Sequence, residues 1–221
     1  MTRTSGSRRT TTRAAQAIDT RRRLLASAVE LFSDTSYEDV AVADIAKHAG
    51  VAHGLLFHYF GNKRGIFLEA MEHAADQLRE AFVAPTDLPP GALVREALRS
   101  HLTYLGAHRG LALRLVLSGR SVDPKAWEVF ESARWLALDR ILSALNVLDE
   151  NDALRMTMRA AAAAVDEASV HWLRNGEPFE TEPLVEFMVE MLASGLRGAA
   201  LLDPSLDVSD ALRKLADPGV E

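Results

Sequence analysis

The chain is predicted to be all-α, with a small three-helix domain at the N-terminus followed by a larger helical domain. Three observations carry this expectation. Apolar residues recur at three- and four-residue intervals from about residue 20 to residue 202, and no stretch shows the alternation of a strand. Gly and Pro clusters break that pattern into segments of helical length. Charge divides the chain as well: residues 1–64 carry ten Lys and Arg against six Asp and Glu, net +4, whereas residues 65–221 carry fifteen against twenty-five, net −10.

Residues 1–19 are mostly Arg, Thr, Ser and Ala without apolar periodicity, and are expected to form a disordered basic arm. Seven arginines stand among the first 23 residues against one acid, Asp19. Two readings of the arm stay open: an inert tail, or a segment that follows a nucleic-acid backbone or enters a minor groove. A first helix is expected from about Thr20, as its N-cap, to Ser33. Val42, Ile45, Ala46 and Ala49 then lie at i, i+3, i+4 and i+7, one apolar stripe on a short second helix. Gly50 follows where a helix end favours positive φ, Val51 fills the corner, and a third helix opens at Ala52 or His53. A fourth begins near Lys63 or Arg64 and ends before Pro85. Two helices meeting across a short Gly-containing turn form a helix-turn-helix, whose second helix presents its N-terminal residues to the major groove.

The run DIAKHAGVAHGLLFHYFGNK, Asp44 to Lys63, resembles the DNA-binding domain of the tetracycline-repressor-like (TetR) family. The matching residues are Ile45, Ala46, Ala49, Gly50, Val51, Gly54, Leu56, Phe57, Tyr59, Phe60 and Lys63. Leu24, Leu25, Ala28, Leu31, Phe32 and Tyr37 fit the family's first helix and its exit. The resemblance implies a helix-turn-helix domain over residues 20–66 and a helical effector-binding and dimerisation domain over residues 67–204; residues 205–221 read as a tail with one short amphipathic turn. It also implies a one-component regulator, most often a repressor, that binds a pseudo-palindromic operator as a homodimer and is released by a small molecule. The sequence departs from the family where Ala41 and Ala52 replace Thr or Ser helix caps, each typically worth about 1 kcal/mol. Leu55 and Phe57 replace residues able to hydrogen-bond.

Candidate DNA contacts follow. His53, Gly54 and Leu55 open the third helix toward base edges; Gly54 permits close approach and Leu55 can meet only a thymine methyl. Phe57, His58 and Tyr59 lie farther along it. Lys63 stands at the start of the fourth helix, where a cation reaches a phosphate, and by resemblance it is the family's phosphate-contacting lysine. Lys47 and the cluster Arg21, Arg22 and Arg23 are further phosphate partners. Leu56 and Phe60, at i and i+4, are assigned to the core.

Beyond a loop at residues 84–91, helices are expected at 92–108, 110–118, 124–147, 152–174 and 181–202. Leu154, Met158, Ala161, Val165, Ala168 and Trp172 repeat at 4-3-4-3-4, as do Leu184, Met188, Met191, Gly195, Gly198 and Leu202. These seams suggest a homodimer built on the last two long helices, against the simpler alternative of burial within one subunit. Candidate effector-binding residues are polar or amphipathic groups on apolar faces: Tyr104, His108, Trp127, Phe130, Arg134, Asp166 and His171. They point to a largely apolar effector.

No phosphate loop, nucleophile elbow or zinc motif is present, and without cysteine there is no thiol chemistry, so no catalytic residue, metal or cofactor is assigned. No apolar run reaches the roughly 20 residues of a membrane span, and a cytoplasmic location is expected. The alternatives kept open are an all-helical small-molecule binder or bundle enzyme, and a DNA-binding activator without an effector.

Overall fold

The computed structural model describes residues 6–81, 87–107, 109, 123–147 and 151–219. Among them are nine helices and no strand: α1 (Gly6–Asp34), α2 (Val42–His48), α3 (His53–Phe60), α4 (Lys63–Ala81), α5 (Pro90–Ala107), α6 (Pro124–Ala144), α7 (Asp152–Arg174), α8 (Thr181–Leu202) and α9 (Ser209–Ala216). The expected helix at 110–118 lies outside the described residues. The chain divides into two compact units, Met1–Ala74 and Ala75–Glu221, so the boundary falls inside α4 rather than at residue 66.

The first unit closes around Leu24, Ala28, Phe32, Ile45, Leu56, Ile66 and Met71, each no more than 3 % exposed. Phe32 meets Phe67 edge-on at 5.1 Å, and Tyr37 lies 4.7 Å from the same ring. Two expectations fail here. Residues from Gly6 onward are helical, where a disordered arm was expected. Thr20 is no cap: its hydroxyl donates to the Gln16 carbonyl at 2.8 Å, the back-bond of a residue within a helix. The costly step of helix formation is nucleation, and α1 is nucleated by the packing of Leu24, Ala28 and Phe32. Continuation through Ala14, Ala15 and Ala17, good helix formers, then needs no apolar face of its own.

In the second unit, α7 and α8 form the most extensive helix pair. Glycine lets them approach: a Cβ on Gly195 would stand 3.0 Å from both the Ala161 Cβ and the Met158 sulfur. The helices run antiparallel, since residues 195–198 meet 157–161 while a short turn joins 174 to 181. The predicted seams therefore serve mainly inside the subunit. Leu154, Met158, Ala161, Val165, Trp172, Leu184, Met188 and Gly195 are buried; Ala168, Met191 and Gly198 are half-buried, and Leu202 is exposed. Side-chain caps fix two helix starts: Asp123 accepts from the Lys125 amide at 2.9 Å, and Asn151 accepts from the Ala153 and Leu154 amides.

The expected C-terminal tail contains a structural helix. Val208, Ala211 and Leu215 of the α9 region are buried in the core of the second unit. Arg95 on α5 clamps it, donating to the Leu215 carbonyl at 2.9 Å while also pairing with Glu186. At the start of α5, a Cβ on Gly91 would overlap the carbonyl oxygens of Asp217 and Lys214. Gly91→Ala is therefore expected to push the end of α9 away, costing about 2 kcal/mol, the range for overpacking. Urea unfolding and faster amide exchange confined to residues 209–217 would measure it.

Candidate nucleic-acid interface

The corner between α2 and α3 is set by backbone chemistry. Gly50 takes φ 63°, its amide bonds the Lys47 carbonyl, and the Val51 amide reaches back to Ala46, both at 3.0 Å. This is a Schellman closure: the left-handed glycine satisfies two carbonyls that the end of α2 would leave open. Arg23 on α1 donates to the carbonyls of Ala49 and Gly50, so the first helix holds the turn from outside. Ala41 and Ala52 give no side-chain cap to α2 or α3, as the sequence indicates. The amides of the first turn of α3 are thus left without a side-chain partner from Ala52.

The third helix splits cleanly. Leu56 and Phe60 are buried, at 0 % and 7 %, and fasten it to the core. His53, Gly54, Phe57 and His58 are exposed, and Leu55 and Tyr59 are half-buried. His53 packs edge-on against Phe57 at 5.3 Å and His58 against Tyr59 at 5.0 Å, giving an aromatic outer face. Gly54 has open space where a Cβ would stand.

The helix ends at Gly61, φ 75°, and Asn62 caps α4 by accepting the Gly65 amide at 2.9 Å. This placement puts Lys63 at the first turn of α4, where its ammonium donates to the Glu38 carbonyl at 3.0 Å and lies 4.7 Å above the Tyr37 ring. Lys47 is exposed on α2. The three arginines of α1 separate by role. Arg21 pairs with Glu69, Arg22 with Asp19 at 2.7 Å, and Arg23 with the turn carbonyls.

The effector candidates divide as well. Trp127, Phe130 and Arg134 lie at i, i+3 and i+7 of α6, with the Arg134 guanidinium 4.6 Å above the Phe130 ring and 5.8 Å from Trp127. Arg134 reaches Asp166 on α7, its Nε donating at 2.9 Å. Two residues overlooked in the sequence complete this cluster: Glu131, bonded to Arg134, and Arg159, 3.0 Å from Glu131. Glu131 was detectable as the i−3 partner of Arg134, whereas Arg159 meets it only through tertiary packing. Burial pushes the Asp166 carboxyl up to about 6, although the Arg134 guanidinium pulls the other way.

Tyr104 stands elsewhere, its hydroxyl donating to Gln77 at 3.3 Å and its phenol pushed up to about 12 by burial. His171 is exposed on the outer side of α7 and joins no interior cluster, because its neighbours Trp172 and Leu173 take the buried faces. His108 lies outside the described residues. Among the described residues no group of His, Asp and Glu is placed to hold a metal ion, and no helix is long and apolar enough to cross a membrane.

Known proteins share this arrangement. Residues 24–70 match the model of the bacterial regulatory proteins, tetR family. The fatty acid metabolism regulator protein of Bacillus subtilis is 26% identical over 184 residues, covering 78% of this chain and 93% of that protein. The crystal structure of a tetR-family transcriptional regulator from Streptomyces coelicolor superposes with a TM-score of 0.78 at 27% identity, over 90% of this chain and 89% of that one. The transcriptional regulator FadR from Bacillus subtilis, solved in complex with stearoyl-CoA, shares the fold with a TM-score of 0.63 at 24% identity, over 78% of this chain and 97% of that one. The matched residues span the helix-turn-helix and the structural likeness extends through the larger helical unit: this chain carries a DNA-binding domain of the tetR family and is similar along most of its length to the transcriptional regulators of that family.

Proposed function

We propose that the protein is a repressor that binds a pseudo-palindromic operator as a homodimer in the cytoplasm and releases it when a largely apolar, acyl-chain effector occupies the second unit. The observation that carries this reading is α3: a helix anchored by Leu56 and Phe60, with His53, Gly54 and Phe57 exposed along one face. Such a helix seats in a major groove with its first turn toward base edges. Leu55 and Phe57 favour apolar contact with thymine methyls and sugars, and His53 is the hydrogen-bonding group at the helix start.

Dimerisation is supported by an open groove of about 460 Å³ on α7 and α8. It is lined by the small residues Thr157, Ala160, Ala164, Ser194 and Gly198, with Phe187 at its edge, 52% exposed. Small residues let a second pair of helices approach closely, and two-fold dimers match paired half-sites. Ala160→Arg leaves the subunit core untouched, because Ala160 is exposed. It is expected to convert the dimer to a monomer in sedimentation and to weaken operator binding; an unchanged sedimentation coefficient would remove this face from the interface.

The acyl-chain assignment rests on the likeness to the fatty acid metabolism regulator protein of Bacillus subtilis and on the aromatic pair Trp127 and Phe130 beside Arg134. The test is fluorescence anisotropy with duplexes from the DNA flanking the protein's own coding region, titrated with salt and then with long-chain acyl-CoA. Acyl-CoA is expected to release the DNA, whereas tightened binding would overturn the repressor reading. Lys63→Ala is expected to weaken binding to every duplex and to lower the slope of log K against log salt by about 1.

A further inference from the structure

The outer side of α8 carries an ordered stripe. Phe187, Glu190, Ser194, Arg197 and Leu201 fall at i, i+3, i+7, i+10 and i+14, along one face of the helix, and all five are exposed. Phe187 and Leu201, the apolar ends, are 52% and 82% exposed. From one end to the other the order is apolar, acidic, small, basic, apolar. The stripe is symmetric in size about Ser194 and antisymmetric in charge.

The rest of α8 is engaged inside the subunit. Leu184, Met188, Leu192 and Leu196 lie in the core, and Glu182 and Glu186 pair with Arg99 and Arg95 of α5 at 2.7 and 2.6 Å. Glu190 and Arg197 are held far more loosely. They stand two turns apart, about 10.5 Å along the axis, and approach to 3.5 Å with side chains 70% and 52% exposed. An exposed pair at that distance contributes little to the stability of one subunit.

A two-fold axis through Ser194 would run α8 antiparallel to the same helix of a second copy. That operation sets position 187 against 201 and position 190 against 197 and 198. Each Glu190 then meets Arg197 of the other copy, and each Phe187 meets Leu201, while Ser194 and Gly198 let the backbones approach. Parallel, in-register pairing would stack acid on acid and base on base. We infer that Glu190 and Arg197 select the partner of this chain: a second copy presenting the same stripe in reverse, joined by two symmetry-related Glu–Arg pairs about Ser194. The inference rests on the homodimer proposed above and adds the residues that set its register and selectivity. A helix with two acids or two bases at these positions meets like charges and is rejected.

The experiment is sedimentation velocity on the full chain, at about 0.1 M and about 1 M salt, where the Debye length falls from about 10 Å to about 3 Å. E190R alone and R197E alone are each expected to weaken self-association about ten-fold or more at low salt. The two-fold axis counts each lost pair twice and sets like charges opposite one another. Mixing the two variants should restore a dimer, now a heterodimer, because every altered charge faces an opposite one. The double variant E190R/R197E should restore the homodimer, and high salt should shrink the defect of the single variants. Wild-type-like dimers in both single variants overturn the inference, as does a mixture that stays monomeric while the wild type dimerises. A wild-type chain that sediments as a monomer at micromolar concentration would sink the dimer reading and this inference together.

Discussion

Gly65→Ala is expected to abolish duplex binding and to lower the melting temperature of the N-terminal unit. A Cβ at position 65 would overlap the Phe60 carbonyl oxygen and approach its carbon at 3.1 Å. Both are backbone atoms at the end of α3, so no side chain can yield. The first turn of α4 must move, breaking the bond from the Gly65 amide to Asn62 and displacing Lys63. The cost is about 2–3 kcal/mol, a large fraction of the stability of a small domain. Gly54→Ala is the matched control, because nothing lies within 4 Å of its would-be Cβ. There the helix should gain about 1 kcal/mol from the better helix former. Any fall in DNA affinity for Gly54→Ala would then report close approach of the α3 backbone to DNA. Circular dichroism melts beside anisotropy separate the two outcomes; equal melting temperatures for both variants would refute the proposed clash.

The second large effect is expected from Arg134→Met, which keeps the stem over Phe130 but removes the charge. Asp166, at 15% side-chain exposure, then loses its guanidinium partner, a change that costs about 3 kcal/mol or more when one member of a buried pair is deleted. Arg159 still serves Glu131 but does not replace the missing bonds to Asp166. The pH dependence has a definite sign. Burial raises the Asp166 carboxyl from 3.8 to about 6, so the folded state holds this proton more tightly than the unfolded chain. That contribution is fully present below about pH 4 and is lost as pH rises through about 6. Urea melts between pH 4 and 7 should show the slope in the wild type and its absence in Asp166→Asn. In Arg134→Met the penalty should grow with pH, because only the ionised carboxylate needs a partner; a penalty independent of pH would contradict the pairing.

Much of the DNA-reading unit was legible because its determinants are neighbours in sequence. The stripe Val42, Ile45, Ala46 and Ala49, the left-handed Gly50 and the plug Val51 specify helix, closure and corner within ten residues. Leu56 and Phe60 were assigned to the core on i, i+4 spacing, and both are buried. The basic arm misled for the opposite reason. Its composition looks disordered in isolation, but it continues a helix whose nucleus is packed elsewhere. The short amphipathic turn expected in the tail is a helix, but its burial was not legible, since three small or aliphatic residues, Val208, Ala211 and Leu215, decide it.

The sequence by itself determined the resemblance to the tetR family, the helical class, the helix-turn-helix corner and the division of charge between two units. Each depends on spacing, glycine conformation or composition, properties fixed over a few residues or summed over many. Only the tertiary structure decided that the two predicted seams close on each other within one subunit, leaving the groove beside Ala160 and Gly198 open. It also decided that Arg95 clamps the last helix 120 residues away, and that Glu131 and Arg159 join Arg134 and Asp166. A charged or small side chain on a helix suits several faces equally well. Its partner is selected by which distant helix packs beside it.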